Sequence, residues 1–197
     1  MDYPADISIS MPDWLWSVAH AERLYQTVEE RMSAVLDLVA LNIADGGGPF
    51  AAAVFDSTGR LVGPGVNRVV PASAPIAHAE IVAIAAAGQQ LGSWDLRSLG
   101  QFQLVTSTEP CAMCLGAVPW SGVTGLVTAA RDIDARQVGF DEGDKPENWV
   151  ANLEARGIEV IRDMARDRAA GQLNDYATSG GEIYNGNSNQ HENGDTS

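Results

Sequence analysis

The chain has 197 residues, of which 45% are hydrophobic, and carries a formal net charge of −14. This length predicts one domain with a real core, and the absence of any run of about 18 apolar residues predicts that nothing spans a membrane. The acidic charge argues against nucleic acid as a partner, because phosphate binding requires a basic surface. A start without signal-peptide features, and only two cysteines, favour a cytoplasmic protein.

The first part of the chain predicts an arm, a long helix and a β-hairpin. Residues 1–17 are predicted to form an irregular arm. Residues 18–44 predict a single helix, because apolar residues recur at helical spacing as far as Ile43. The breakers "DGGGP" then end it. In "FAAAVFDSTGRLVGPGV", two apolar runs flank a turn at Asp56–Gly59, which predicts the hairpin.

The second part alternates between helices and strands. A helix is predicted from about residue 77 to 91, and strands at "FQLVTS", "GLVTAA" and "IEVIRDM", each followed by a helical segment. This alternation predicts an α/β fold whose mostly parallel sheet has helices on both faces. About thirty residues separate the centres of the last two strands, which predicts a parallel pair joined by a crossover. Residues 186–197 form a polar tail.

The chain's only cysteines, Cys111 and Cys114, lie three residues apart in "EPCAMC". They could be buried thiols, a redox pair or half of a structural zinc site. A structural site needs four protein ligands, and the histidines offer few: His191 lies in the polar tail, and His20 has no ligand-like neighbour. With His78 the pair makes three protein ligands, and three ligands with an open fourth position are typical of catalytic zinc.

Glu80 follows His78 by two residues, in "PIAHAEIVAI". One interpretation is a carboxylate favoured near a helix N-terminus. The other is the general base beside a zinc-activated water.

Together, "HAE" at 78–80 and "PCAMC" at 110–114 resemble the H-x-E…P-C-x-x-C signature of zinc-dependent nucleobase and nucleoside deaminases. The resemblance covers roughly residues 20–185 and is closest to bacterial guanine deaminases, through stretches such as "GGPFAAAVF", "GVNRVV", "GFDEG" and "PENW". It implies a deaminase domain over residues 18–185. It also implies a three-layer α/β/α fold with a central, mixed five-stranded sheet of the cytidine deaminase type.

The resemblance further implies an activity, a metal and a set of site residues. The activity is hydrolytic deamination of guanine to xanthine and ammonia, extended to aminotriazines such as ammeline, with Zn²⁺ as the cofactor. Glu80 and Glu142 are the catalytic carboxylates, and the family places partners for a small nucleobase substrate at Phe50, Asn67, Ala77, Phe140, Asp141 and Tyr184. It also implies a homodimer, with C-terminal segments that cross to the partner subunit in some members.

Other functions remain open at the level of the sequence. A pyrimidine or nucleoside deaminase would use the same zinc motif, and so would an RNA adenosine deaminase, although the net charge of −14 argues against RNA. A non-catalytic zinc-binding module would keep the three ligands but would not need Glu80. Turnover of candidate bases distinguishes these possibilities.

Overall fold

The structure is a computed structural model that describes residues 8–19 and 23–185. Within these ranges, the five strands are β1 (Ala51–Asp56), β2 (Leu61–Val66), β3 (Phe102–Thr108), β4 (Gly125–Ala130) and β5 (Glu159–Ile161). The helices are α1 (Asp13–Ala19), α2 (Val28–Ala44), α3 (Ala79–Leu91), α4 (Ala112–Ser121), α5 (Asp132–Gln137), α6 (Trp149–Glu154) and α7 (Arg166–Thr178). Among the helices of these ranges, none is long and apolar enough to cross a membrane.

The strands form one mixed sheet in the order β2-β1-β3-β4-β5. Strand β1 is antiparallel to both of its neighbours, whereas β3, β4 and β5 are parallel. In the parallel part, Leu126 of β4 lies opposite Leu104 of β3 and Val160 of β5. The five-stranded mixed sheet that the resemblance implies and its parallel last pair are therefore confirmed. The mostly parallel sheet expected from the alternation of strands and helices is wrong, because β1 pairs antiparallel with both neighbours.

Helices cover both faces of the sheet, as the sequence predicts. Alternate residues of β1 show the division: Phe55 packs in a cluster with apolar residues of α2 and α7, while Val54 packs in another with residues of α3 and α6. This follows from the two-residue period of a strand, which sends successive side chains to opposite faces. The molecule is a three-layer α/β/α domain.

The long helix predicted over residues 18–44 is wrong at its N-terminal end. Helix α2 begins at Val28, because the Thr27 side chain accepts from the Glu30 N–H (3.2 Å) and the Glu30 carboxylate accepts from the Thr27 N–H. This reciprocal pair is a capping box, which fixes a helix start. A separate short helix, α1, lies within and just beyond the stretch expected to be an irregular arm. His20, His191 and the tail 186–197 fall outside the described residues.

The topology brings several loops to one edge of the sheet. Strands β3 and β4 are parallel, so the segments that follow them, 109–111 and 131, leave from the same edge, where sites of α/β proteins form. Helix α3 reaches this edge by packing closely on β2. A side chain at Gly63 or Gly65 would collide with the α3 backbone, so glycine is required there.

Candidate metal centre and active site

His78, Cys111 and Cys114 come together at the starts of two helices. His78 is the N-cap of α3 and Cys111 the N-cap of α4, and neither side chain caps its own helix. Cys114 is fully buried in the first turn of α4. One ligand atom from each residue lies within 4.8 Å of the others, and Cys111 Sγ is 3.5 Å from His78 Nδ1. Among the described residues this is the group of donors that could hold a metal ion.

The donor set fits zinc. One imidazole and two thiols are ligands that Zn²⁺ prefers, and a helix N-terminus favours the thiolate that metal binding requires. Hydrogen bonding from Cys114 lowers the pKa of the Cys111 thiol to about 4, although burial opposes this. The same hydrogen bond, together with burial, raises the pKa of Cys114.

Glu80 lies beside these ligands in the first turn of α3, and it is buried. Burial raises the pKa of its carboxyl group to about 7, with a further contribution from the charge of Cys111, while the neighbouring His78 opposes the rise. A carboxyl group with such a pKa can both take and give a proton near neutral pH, which is what a general acid–base group requires.

A cavity of about 850 Å³ opens onto the metal ligands. Nine of the eleven residues proposed from the sequence line it, namely Phe50, Asn67, His78, Glu80, Cys111, Phe140, Asp141, Glu142 and Tyr184. The two exceptions are Cys114, which is buried behind the cavity wall, and Ala77, which is also buried and whose carbonyl accepts from the Arg68 N–H (2.9 Å).

Aromatic rings form one wall of the cavity. The ring of Phe140 meets Phe50 edge to face, with 4.9 Å between centroids, and Tyr184 in the same way at 5.3 Å. The Tyr184 hydroxyl is buried and has no hydrogen-bond partner among the described residues, and burial raises its pKa well above the usual value. A largely aromatic wall with one unpartnered hydroxyl suits an aromatic ligand that carries polar edges.

Glu142 supplies a second buried carboxyl group to the cavity. Burial raises its pKa to about 8, while the charge of Lys145 opposes the rise. The Glu142 carbonyl accepts from the Ala112 N–H (2.9 Å), which ties this loop to the start of α4. Asp141 lies at the rim: its carboxylate accepts from the Gly143 N–H (2.9 Å), and it is largely exposed.

Asn67 is held by Asn42, a residue that the sequence analysis missed. Asn42 is fully buried in the last turn of α2, and its Nδ2 donates to the carbonyls of Gly48 (2.8 Å) and Asn67 (2.9 Å). The Asn67 Oδ1 atom accepts from the Val69 N–H (3.3 Å), which orients the amide. Nothing in the sequence marks Asn42, because its partners follow it by six and twenty-five residues.

Glu109 was also missed, although it stands two residues before Cys111. It is buried, lines the cavity, and accepts from Arg162 Nε (2.7 Å) and from the Asp132 N–H (3.1 Å). These bonds join the ends of β3, β4 and β5 next to the metal loop, the segment Pro110–Cys111 that leads into α4. The signal that could have found it is an acidic residue directly after a buried strand, inside the cysteine motif.

The α/β/α fold with three protein ligands and a buried carboxyl group at helix starts defines the class of catalytic zinc sites found in hydrolytic deaminases. A family model described as the cytidine and deoxycytidylate deaminase zinc-binding region matches residues 25–130. The chain belongs to this family, which confirms the resemblance seen in its motifs and makes it a zinc-dependent deaminase.

Solved structures and a curated relative extend the likeness. A guanine deaminase from Nitrosomonas europaea is 46% identical with a TM-score of 0.87, and the match covers 90% of this chain and all of that one. A mutant of NE0047 in complex with 8-azaguanine is 47% identical with a TM-score of 0.86, covering 88% of this chain and 98% of the other. The guanine deaminase of Bacillus subtilis is 41% identical over 96 residues, which span 49% of this chain and 59% of that relative.

Proposed function

We propose that this protein catalyses the hydrolytic deamination of guanine, in which guanine and water give xanthine and ammonia. The observation that carries the proposal is one cavity lined by His78, Cys111, Glu80 and Glu142. The likeness to a Nitrosomonas guanine deaminase over 90% of the chain supports guanine as the base.

The chemistry divides between the metal and Glu80. His78, Cys111 and Cys114 would hold zinc, which when bound lowers the pKa of a coordinated water toward about 7. Glu80 accepts a proton from the attacking water and passes it to a ring nitrogen of the base. Glu80 then takes the second proton, from the hydroxyl formed at the attacked carbon, and gives it to the departing amine, so that ammonia leaves and a carbonyl remains. Glu80 is buried and lies two residues from the ligand His78, which places its carboxyl group for both transfers.

The remaining cavity residues would bind and orient the base. Guanine presents a ring N–H and an exocyclic amine, and the carboxyl oxygens of Glu142 can accept from such donors. Asn67 can donate and accept through its amide, and Phe50 and Phe140 offer faces and edges for the ring. Adenine lacks this donor edge, so Glu142 would disfavour it.

Turnover of a panel of bases tests the proposal. Zinc-loaded protein is incubated with guanine, ammeline, cytosine and adenosine, and ammonia release is measured. We expect the highest kcat/KM with guanine, turnover of ammeline because its amino and carbonyl groups repeat the pattern, and no turnover of adenosine. A preference for cytosine or a nucleoside would contradict the substrate while leaving the zinc chemistry in place.

Glu142→Ala is expected to lower guanine turnover while zinc stays at about one ion per chain. The variant removes the acceptor for the donor edge of guanine, and loss of one buried polar partner typically costs about 1–3 kcal/mol. The control is Glu147→Ala, which removes an exposed carboxylate from the same connecting segment. Equal turnover by Glu142→Ala and the parent would make Glu142 a bystander.

Two other deaminase functions share the zinc motif but have less support from the rest of the chain. An RNA adenosine deaminase needs a basic surface, and the sequence has 12 basic against 26 acidic residues. A pyrimidine deaminase lacks the support that the guanine deaminase structures give. The presence of buried Glu80 and Glu142 beside the metal ligands argues against a non-catalytic module.

We also propose that the protein is a homodimer in the cytoplasm. Helix α4 presents Trp120 at 84% exposure and Met113 at 40%, which is unusual for a free surface. A second copy would cover them, with the C-terminal segments that carry Tyr184 exchanged between subunits. Light scattering gives the mass in solution. The cytoplasm fits zinc ligands that must stay reduced.

A further inference from the structure

Lys145 is the only lysine of the chain, and its side chain is 8% exposed. An ammonium group is costly to bury unless its charge and its donors are matched. A lysine in a connecting loop would ordinarily extend into solvent. Its position therefore points to a set of partners that hold it.

Three separate segments provide those partners. The Lys145 Nζ atom donates to the carbonyl of Pro110 (3.0 Å), directly before the metal ligand Cys111. It pairs with Asp132 Oδ1 (2.6 Å) at the start of α5, and it lies 3.9 Å from Glu142 Oε2. The ammonium group thus joins the metal loop, the end of β4 and the second carboxylate of the cavity.

The contact with Glu142 differs in kind from the other two. At 3.9 Å it is too long for a hydrogen bond, so it is a charge contact that leaves the oxygen atoms of Glu142 free to bind another group. The backbone of the loop is held independently, by Ala112 N–H to the Glu142 carbonyl and by Arg136 Nη2 to the Gly143 carbonyl (2.6 Å). What Lys145 adds is therefore control of the Glu142 side chain.

We propose that Lys145 is a positioning residue that fixes the Glu142 carboxylate relative to the Pro110–Cys111 metal loop. It does not touch the base, and it acts on the reaction through Glu142. The inference deepens the proposed function, since it rests on Glu142 binding the substrate. A planar guanidinium would not match one carbonyl and two carboxylates at this spacing, whereas the compact ammonium group does.

A double-mutant cycle between Lys145 and Glu142 tests the inference. Lys145→Met keeps the aliphatic stem and removes the charge, and it is made in the parent and in Glu142→Gln. The readouts are kcat and KM with guanine, zinc content, and the dissociation constant of 8-azaguanine measured by calorimetry on zinc-loaded protein. Arg166→Met is the control. It breaks the Arg166–Asp134 ion pair (2.8 Å), which is similar in length to the Lys145–Asp132 pair but does not line the cavity.

We expect Lys145→Met to lower turnover roughly ten- to a hundredfold in the parent, with zinc retained, because misplacing a group that orients the substrate costs about this much. The affinity for 8-azaguanine falls in parallel. In the Glu142→Gln background, Lys145→Met has little further effect on turnover or on the affinity for 8-azaguanine, because the carboxyl group that Lys145 positions is absent. Arg166→Met leaves turnover near the parent value.

Two results would overturn the inference: an equal loss in both backgrounds, or a loss of zinc that explains the loss of turnover. If Lys145→Met does not fold, Lys145→Arg replaces it in the same cycle, and coupling to Glu142 is again required. Failure of the proposed function is seen separately, as a parent protein that releases no ammonia from guanine. In that case the dissociation constants of 8-azaguanine still measure the coupling between Lys145 and Glu142.

Discussion

Glu80→Gln is expected to keep zinc and the fold while lowering turnover of guanine by about 10²–10⁴-fold. Glutamine has the same shape as glutamate, but a neutral amide cannot take a proton from the attacking water or return it to the leaving amine. The carboxyl group is buried, and its pKa is raised to about 7 mainly by that burial. Removing its charge therefore relieves a desolvation cost, and the stability of the fold should not decrease.

The measurement is kcat with guanine, accompanied by metal analysis and a thermal unfolding curve. The control is Glu154→Gln, which makes the same chemical change on an exposed face of α6. It should leave all three readouts at the parent values. Activity of Glu80→Gln within a few-fold of the parent, with zinc bound, would remove Glu80 from the mechanism.

The parallel part of the sheet could be predicted from the residues because its signals are local, whereas the mixed five-stranded arrangement came only from the family resemblance. The buried strands β3 and β4 are continuous apolar runs bounded by breakers, and the distance between β4 and β5 along the chain excludes a tight hairpin. The helix boundary at Val28 could not be found by periodicity alone, because apolar residues before it continue the helical spacing. The Thr27–Glu30 capping box was present in the sequence and outweighs that spacing.

The metal ligands could be predicted by counting the residues able to bind zinc, because the chain has only two cysteines and three histidines. The residues that hold the site in place could not. Asn42 and Lys145 act through contacts with residues far along the chain or through backbone carbonyls, and these depend on the tertiary fold. An asparagine near a helix end and a lysine in a loop have ordinary surface explanations. Only their burial in the folded chain distinguishes them.

Cys114→Ala is expected to abolish both stoichiometric zinc binding and turnover. His78 and Cys111 would remain, and two ligands do not hold zinc as three do. Metal bound only to the folded state stabilises it, by about 4 kcal/mol when free zinc is a thousand times the dissociation constant. A chelator should therefore lower the Tm of the parent but leave that of Cys114→Ala unchanged. Leu99→Ala, at an exposed position away from the metal ligands, should respond as the parent does. One zinc per chain in Cys114→Ala, or an equal chelator shift in both proteins, would contradict the three-ligand site.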